Sequence, residues 1–463
     1  MSRVSQDGIA LDIFGQMPAT VHSYTGITLC FPLLDGSQHP AVVSTLTAGL
    51  ERLSASFPWV AGQVTNEGSG EDNSGIYKIT PFENIPRLVV KDLRQDGSMP
   101  TMGALRDANF PMSMLDELVI SPRATISLRP PENDPVLLIQ ANFITGGLLL
   151  TFSANHNAMD MAGQAQVLHL LSKACRNEPF TQEELKIGNC DRRNIVPLLQ
   201  DYQPGPEVSR QIAKKPGPQA PANSGANATK PAPPRPLKCT WANFIFDAAS
   251  LSALKAQAAE TVTSGFISTD DAITALIWQC ITRARSSRLE GRPVTEATLG
   301  RSVNVRSYLD IPETYPGFIQ NMTYRTLKLQ EVADGPLGAV ASYLRAGLDR
   351  ESIKYQTRSA ATLLDSTPNK RTINPVGSLD LTVDIIVSSW VKTGCYGLDF
   401  GLGLGKPESV RRPRLMPLAL DSLVYLLPKA PSGEIVIAIC LRDEDMTKLK
   451  ADETFAKYGR FGG

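Results

Sequence analysis

Histidine is scarce in this chain: His22, His39, His156 and His169 are the only four among 463 residues. No single neighbourhood can supply a histidine-rich metal centre, and chemistry that needs an imidazole has few candidates. Net charge is also missing. The 46 Lys and Arg residues balance 46 Asp and Glu, so no whole-molecule field draws the chain to nucleic acid or to an anionic membrane. No apolar run approaches the ~20 residues of a membrane-spanning helix. Asp7 and Asp12 interrupt the N-terminal stretch, so no secretory signal is expected, and the expectation is a soluble, cytoplasmic protein. The seven cysteines, Cys30, Cys175, Cys190, Cys239, Cys280, Cys395 and Cys440, include no C-x-x-C pair. A disulfide framework and a thiolate zinc site are both disfavoured.

What is present is globular. Apolar residues make up 42% of the chain and charged residues 20%, enough to build a sizeable core and too apolar for a mostly disordered chain. The length fits about three domains, or two larger ones. Between about Gln203 and Lys238, Pro216, Pro218, Pro221, Pro231, Pro233, Pro234 and Pro236 crowd a stretch otherwise rich in Gly, Ala, Asn and Ser. Such composition buries too little apolar surface to offset its ordering entropy. The expected organisation is therefore a domain over 1–202, a linker over 203–238 and a second domain over 239–463.

Periodicity fills in both halves. Val42, Val43, Leu46, Leu50 and Leu53 predict a helix from Ala41 to Phe57, ended by Pro58. Pro135–Ile144 and Leu148–Ala154 read as strands of a hairpin around Thr145, Gly146 and Gly147. Asn155 to Asp160 breaks that pattern, and a helix is expected from about Ala162 to Cys175. In the second half a strand over Thr240–Phe246 leads to a helix over Ser250–Glu260. Ser268, Thr269, Asp270 and Asp271 then cap a helix over Ala272–Arg285. Val383–Ser389 is β-rich, and Leu398–Gly405 is a glycine-punctuated loop. Ser422–Pro428 and Glu434–Cys440 read as paired strands, followed by a last helix from Asp443 to Tyr458. Mixed strands and helices in both halves indicate an α/β (α+β) fold.

Two motifs carry chemistry. His156 and Asp160 form an H-x-x-x-D pair where an apolar strand ends. An imidazole there is placed to face a cleft and, with an ordinary pKa near 6.5, can take a proton from a substrate hydroxyl. The carboxylate could fix the loop or orient the ring. About 240 residues on, Asp399, Phe400, Gly401, Leu402 and Gly403 form D-F-G-x-G. No kinase glycine loop, V-A-I-K strand or H-R-D segment accompanies it, and no Gly-Lys-Ser/Thr follows. Taken alone it is a structural turn.

Together the two motifs resemble those of the BAHD acyltransferase superfamily, CoA-dependent enzymes that acylate alcohols and amines. The segments His156–Gln164, Asp399–Glu408, Phe57–Val64, Leu171–Arg176, Pro316–Thr323 and Leu441–Met446 look like those of its fungal branch, the trichothecene 3-O-acetyltransferases. Leu402 stands where plant members carry Trp, a departure that suits the fungal branch. The likeness covers nearly the whole chain outside the Pro-rich stretch.

The resemblance implies two similar-sized domains with mixed sheets flanked by helices, as in chloramphenicol acetyltransferase, with an active-site tunnel between them. It implies His156 as general base. Asp160 would point away from the substrate and pair with Arg306, although Asn304 replaces the usual Asp of that segment. Asp399 would be structural. Ser388 and the indole of Trp390 would bind the tetrahedral oxyanion, and Ser268 and Thr269 would approach CoA. For the last two a simple helix cap is an equally good reading, although a helix N-terminus also favours an anion. The implied co-substrate is acetyl-CoA, with no metal, and the implied acceptor is a trichothecene C-3 hydroxyl in an enzyme expected to be monomeric. A peptide-synthesis condensation domain fits less well, since Asn155 and Met161 replace its first His and its Gly. A silent terpenoid-binding protein is opposed by the intact His156, Arg306 and Ser388.

Overall fold

A computed structural model of the chain describes residues 7–34, 36–127, 131–212, 238–263, 265–416 and 420–463. Most of the Pro-rich stretch, residues 213–237, lies outside the described residues. The stretch just before it is folded: Pro206–Gln211 forms a 3-10 helix with Val208 and Gln211 buried, and Ile212 bridges to Ile373.

The predicted hairpin is built as Leu137–Ile144 and Gly147–Asn155, antiparallel, with Ile144 opposite Gly147. Its two-residue turn needs Gly146, whose φ of 79° lies in the left-handed region. These strands are the centre of a five-stranded sheet in the order Ser409–Arg411, Tyr24–Pro32, Gly147–Asn155, Leu137–Ile144, Arg87–Asp92. Leu137–Ile144 and Arg87–Asp92 run parallel and the other pairs antiparallel. Helices His39–Ser56 and Met161–Cys175 pack together beside this sheet. They approach so closely at Gly49 that a Cβ there would sit 2.2 Å from Cys175 Sγ.

The second half forms a seven-stranded mixed sheet in the order Gln320–Lys328, Glu296–Asn304, Ile385–Ser389, Leu423–Leu426, Ile435–Arg442, Cys239–Phe246, Arg460–Phe461. The helix Thr269–Leu289 is buried along nearly all its length, which is why its apolar residues show no single face. Among the described residues the fold is thus two large mixed sheets flanked by helices, with a small antiparallel sheet of Ile9–Ala10, Ser74–Thr80 and Gln63–Ser69 beside the first. The two large sheets are not cleanly separated in sequence. Trp390, Cys395, Leu398 and Phe400, all from the second half, pack in the first core, and Ser409–Arg411 joins the first sheet.

Two expectations need revision. The last helix is two helices, Asp443–Ala451 and Glu453–Ala456, because Asp452 stops the first and caps the second through Phe455 N at 2.9 Å. Helices Leu337–Ala346 and Arg350–Ser366 and strands Tyr24–Pro32, Glu296–Asn304 and Gln320–Lys328 were not anticipated from periodicity.

Candidate active site

His156 follows directly on the strand Gly147–Asn155, and its backbone N–H donates to Ser23 O at 2.9 Å. The next turn is held from within. Asn155 Oδ1 accepts from Asn157 N and Ala158 N at 3.0 and 3.3 Å, and Asp160 caps the helix Met161–Cys175. The imidazole packs on Phe318, with ring centroids 5.0 Å apart. Its Nδ1 is wholly buried and, among the described residues, without a hydrogen-bond partner, so Nε2 is the nitrogen left to the cavity that His156 lines. Burial pushes the His156 pKa down from 6.5, offset in part by main-chain groups of His156 and Met159 and by the Asp160 carboxylate.

Asp160 turns away from that cavity. Its Oδ2 accepts from Arg306 Nη1 at 2.9 Å and from Ile319 N at 2.8 Å; its Oδ1 accepts from Arg306 Nη2 at 3.0 Å and from Gly163 N at 2.8 Å. Arg306 is 0% exposed and also donates to the carbonyls of Tyr315 and Gly317 at 3.0 and 2.8 Å. Asn304 stands in well for a carboxylate, its Oδ1 accepting from Arg306 N and Nη1 at 3.1 and 3.0 Å. A buried bidentate pair with every lone pair used is the geometry in which a desolvated ion pair is well compensated.

A second clasp lies alongside. Asp12, wholly buried, accepts from the Tyr315 hydroxyl and, at 2.9 Å, from Phe318 N. Gly317 is required there, because a Cβ would fall 2.2 Å from Asp12 Oδ2. The loop that carries Phe318 against His156 is therefore gripped from the first half by two carboxylates.

The cavity, of about 260 Å³, lies between the halves. Phe14, Met17, Phe318, Met322 and Tyr425 give it apolar walls, and His156, Ser302, Ser388, Asn321 and Arg412 are among its polar groups. An apolar pocket with a few convergent polar groups is the usual form of a small-molecule site. Ser388 and Trp390 share this cavity with His156, at the end of the strand Ile385–Ser389. The Trp390 indole N–H donates to Ser388 Oγ at 3.1 Å, which leaves the Ser388 hydroxyl hydrogen free to point elsewhere.

A family model described as "Transferase family" matches residues 108–456, and one described as "Trichothecene 3-O-acetyltransferase-like N-terminal domain" matches residues 23–175. The chain belongs to the Transferase family. This acyltransferase is 50% identical to a trichothecene 3-O-acetyltransferase of Fusarium sporotrichioides, over 98% of this chain and 97% of the relative. It is 51% identical to the O-acetyltransferase dmxR13 of a Cryptosporiopsis species, over 98% and 97%. The crystal structure of the F. sporotrichioides enzyme complexed with coenzyme A and T-2 matches with a TM-score of 0.91 at 47% identity, covering 98% of this chain and 99% of that one. Vinorine synthase, at 17% identity and a TM-score of 0.67 over 100% and 96%, shares the fold.

Elsewhere the acyltransferase places its motif residues outside the cavity. Asp399 sits in an Asx turn, Oδ1 accepting from Gly401 N at 2.8 Å, while its carbonyl accepts from Arg176. Phe400 is buried against Phe152, with centroids 5.7 Å apart. Ser268 is a capping-box residue whose hydroxyl is engaged by Asp271, and neither it nor Thr269 lines the cavity. Asp270, one residue on, accepts from Ser389 Oγ at 2.6 Å, so the start of that helix is tied to the strand carrying Ser388. Among the described residues no cluster of His, Cys, Asp or Glu could hold a metal ion, and no helix is long and apolar enough to cross a membrane. Sequence reasoning missed Asp12, Phe318 as the partner of His156, and Arg412. Asp12 lies more than 300 residues from the atoms it binds, and no local signal marks it.

Proposed function

We propose that the chain transfers an acetyl group from acetyl-CoA to the C-3 hydroxyl of a trichothecene, directly, within a ternary complex. The observation that carries this reading is His156, with Nε2 left to an apolar cavity it shares with Ser388 and Trp390. His156 Nε2 takes the hydroxyl proton as the C-3 oxygen attacks the thioester carbonyl. Ser388 donates to the oxygen on which negative charge develops, and Trp390 orients that hydroxyl. The carbon–sulfur bond then breaks and His156 returns the proton to the CoA sulfur. Asp160, Arg306 and Asp399 act through structure: the ion pair fixes the loop that aims His156, and Asp399 closes a distant turn. The helix that starts at Ser268 and Thr269, tied through Asp270 and Ser389 to the strand of Ser388, would turn its N-terminus toward the CoA phosphates or pantetheine arm. An apolar cavity suits a mostly hydrocarbon sesquiterpenoid with few polar anchors. The similarly close dmxR13, whose name specifies no acceptor, favours a second reading in which another alcohol takes the acetyl group.

Acetyl transfer to deoxynivalenol, followed by free thiol as a function of pH, tests the mechanism. Only neutral His156 can accept the proton, and burial holds its pKa below 6.5. The acid limb of kcat/KM is therefore expected below pH 6.5, with a flat profile from there to about pH 8. A limb at or above pH 7 would remove His156 as the base.

A further inference from the structure

Arg412 follows the strand Ser409–Arg411, lines the cavity and is 1% exposed. Three other deeply buried guanidinium groups face carboxylates: Arg306 faces Asp160, Arg285 faces Asp445, and Arg192 lies 3.7 Å from Asp12. Arg412 instead donates to Pro413 O at 3.1 Å and to Thr125 Oγ1 at 3.3 Å, and among the described residues its Nε has no acceptor. Glu117 reaches it only through Thr125, whose Oγ1 donates to Oε2 at 2.7 Å. Among the described residues the neighbouring Arg411 also lacks a carboxylate, but it lies off the cavity on the Tyr396 hydroxyl and backbone carbonyls. A buried cation without a counter-ion is costly, and folds retain such groups mainly at working sites.

The guanidinium lies 4.6 Å from the Tyr425 ring centroid and 6.0 Å from that of Trp390. A cation on the face of an indole draws density from the ring and makes its N–H a stronger donor. That N–H is the one bonded to Ser388 Oγ. We propose that Arg412 is a positioning residue for acyl transfer, polarising Ser388 through Trp390 so that its hydroxyl donates more strongly to the oxyanion. This rests on the reading of Ser388 as the oxyanion donor. Because the guanidinium is buried, its charge is weakly screened, so it acts over this distance. The charged groups around His156 are Asp160, neutralised by Arg306, and Arg412, which itself helps hold the imidazole neutral.

The test is a double-mutant cycle of Arg412→Met and Ser388→Ala, read as kcat and as KM for both substrates, with any acceptor the wild type acetylates. Ser388→Ala is expected to lower kcat by about 10²-fold. Arg412→Met is expected to lower kcat by about tenfold with both KM values near wild type, and Arg412→Lys to restore part of it. In the Ser388→Ala background, Arg412→Met should cost less than about threefold more. Arg412→Met should also move the acid limb of kcat/KM upward toward 6.5. An unchanged kcat, effects that multiply in full, or a rise in acceptor KM alone would overturn the proposal while leaving the acetyltransferase reading intact. Absence of wild-type transfer to any alcohol would overturn both. Should Arg412→Met fail to fold, as judged by circular dichroism, the same cycle run with Arg412→Lys decides.

Discussion

Replacing His156 with alanine is expected to lower kcat by about 10² to 10⁴-fold while KM for acetyl-CoA changes little. The side chain sits in a turn whose geometry is set by Asn155 and Asp160, not by the imidazole, so the fold should tolerate its loss. Its Nδ1 makes no hydrogen bond that the rest of the protein needs. The variant should therefore melt near the wild-type temperature, and the rate loss should report chemistry alone. Thiol-release kinetics at saturating acetyl-CoA check this. Retention of kcat within about threefold would mean that the acceptor hydroxyl loses its proton elsewhere.

Arg306→Met is expected to act on stability first. The substitution removes both guanidinium donors of the bidentate pair and leaves the Asp160 carboxylate, 2% exposed, with Gly163 N and Ile319 N among the described residues. Breaking a buried pair from one side costs about 3–5 kcal/mol, because the remaining charge has lost its partner and cannot reach water. Arg306 also loses its bonds to the Tyr315 and Gly317 carbonyls, and that loop carries Phe318 against His156. Thermal unfolding should show a clear drop in Tm, and what activity remains should be unstable at temperatures the wild type survives. A Tm within about 1 °C of wild type would show that the two halves are held by something other than this clasp.

Much of the site was legible because its parts are local. The strand, the break at Asn155, His156 and the capping Asp160 all fall within 14 residues, and each lies on or beside a periodic or capping signal. Arg306, Ser388 and Trp390 were reachable only through resemblance, since nothing in their own neighbourhoods distinguishes them. Asp12 and Arg412 were not reachable, because their meaning lies in contacts across the fold. The strands Glu296–Asn304 and Gln320–Lys328 were hidden by buried polar residues that break alternation. Arg301 is satisfied by Asp270 and Asp271, and Asn321 by Gln211. The helix Arg350–Ser366 was hidden because its buried face is largely small or polar, with Thr357, Ser359, Ala360 and Ala361 between Ile353 and Leu363. The seven free cysteines include five that are buried, and burial pushes the thiols of Cys30 and Cys395 up to about 12 and about 11, so neither is a ready nucleophile near neutral pH.

The central claim is acetyl transfer to a trichothecene C-3 oxygen. Its most direct test is incubation of the wild-type protein with acetyl-CoA and deoxynivalenol, with free thiol measured and the product's acetylated carbon assigned by NMR. Thiol release equal to the 3-O-acetyl ester formed is the predicted result. Thiol release no faster than without the toxin, or an acetyl group at another oxygen, would contradict it.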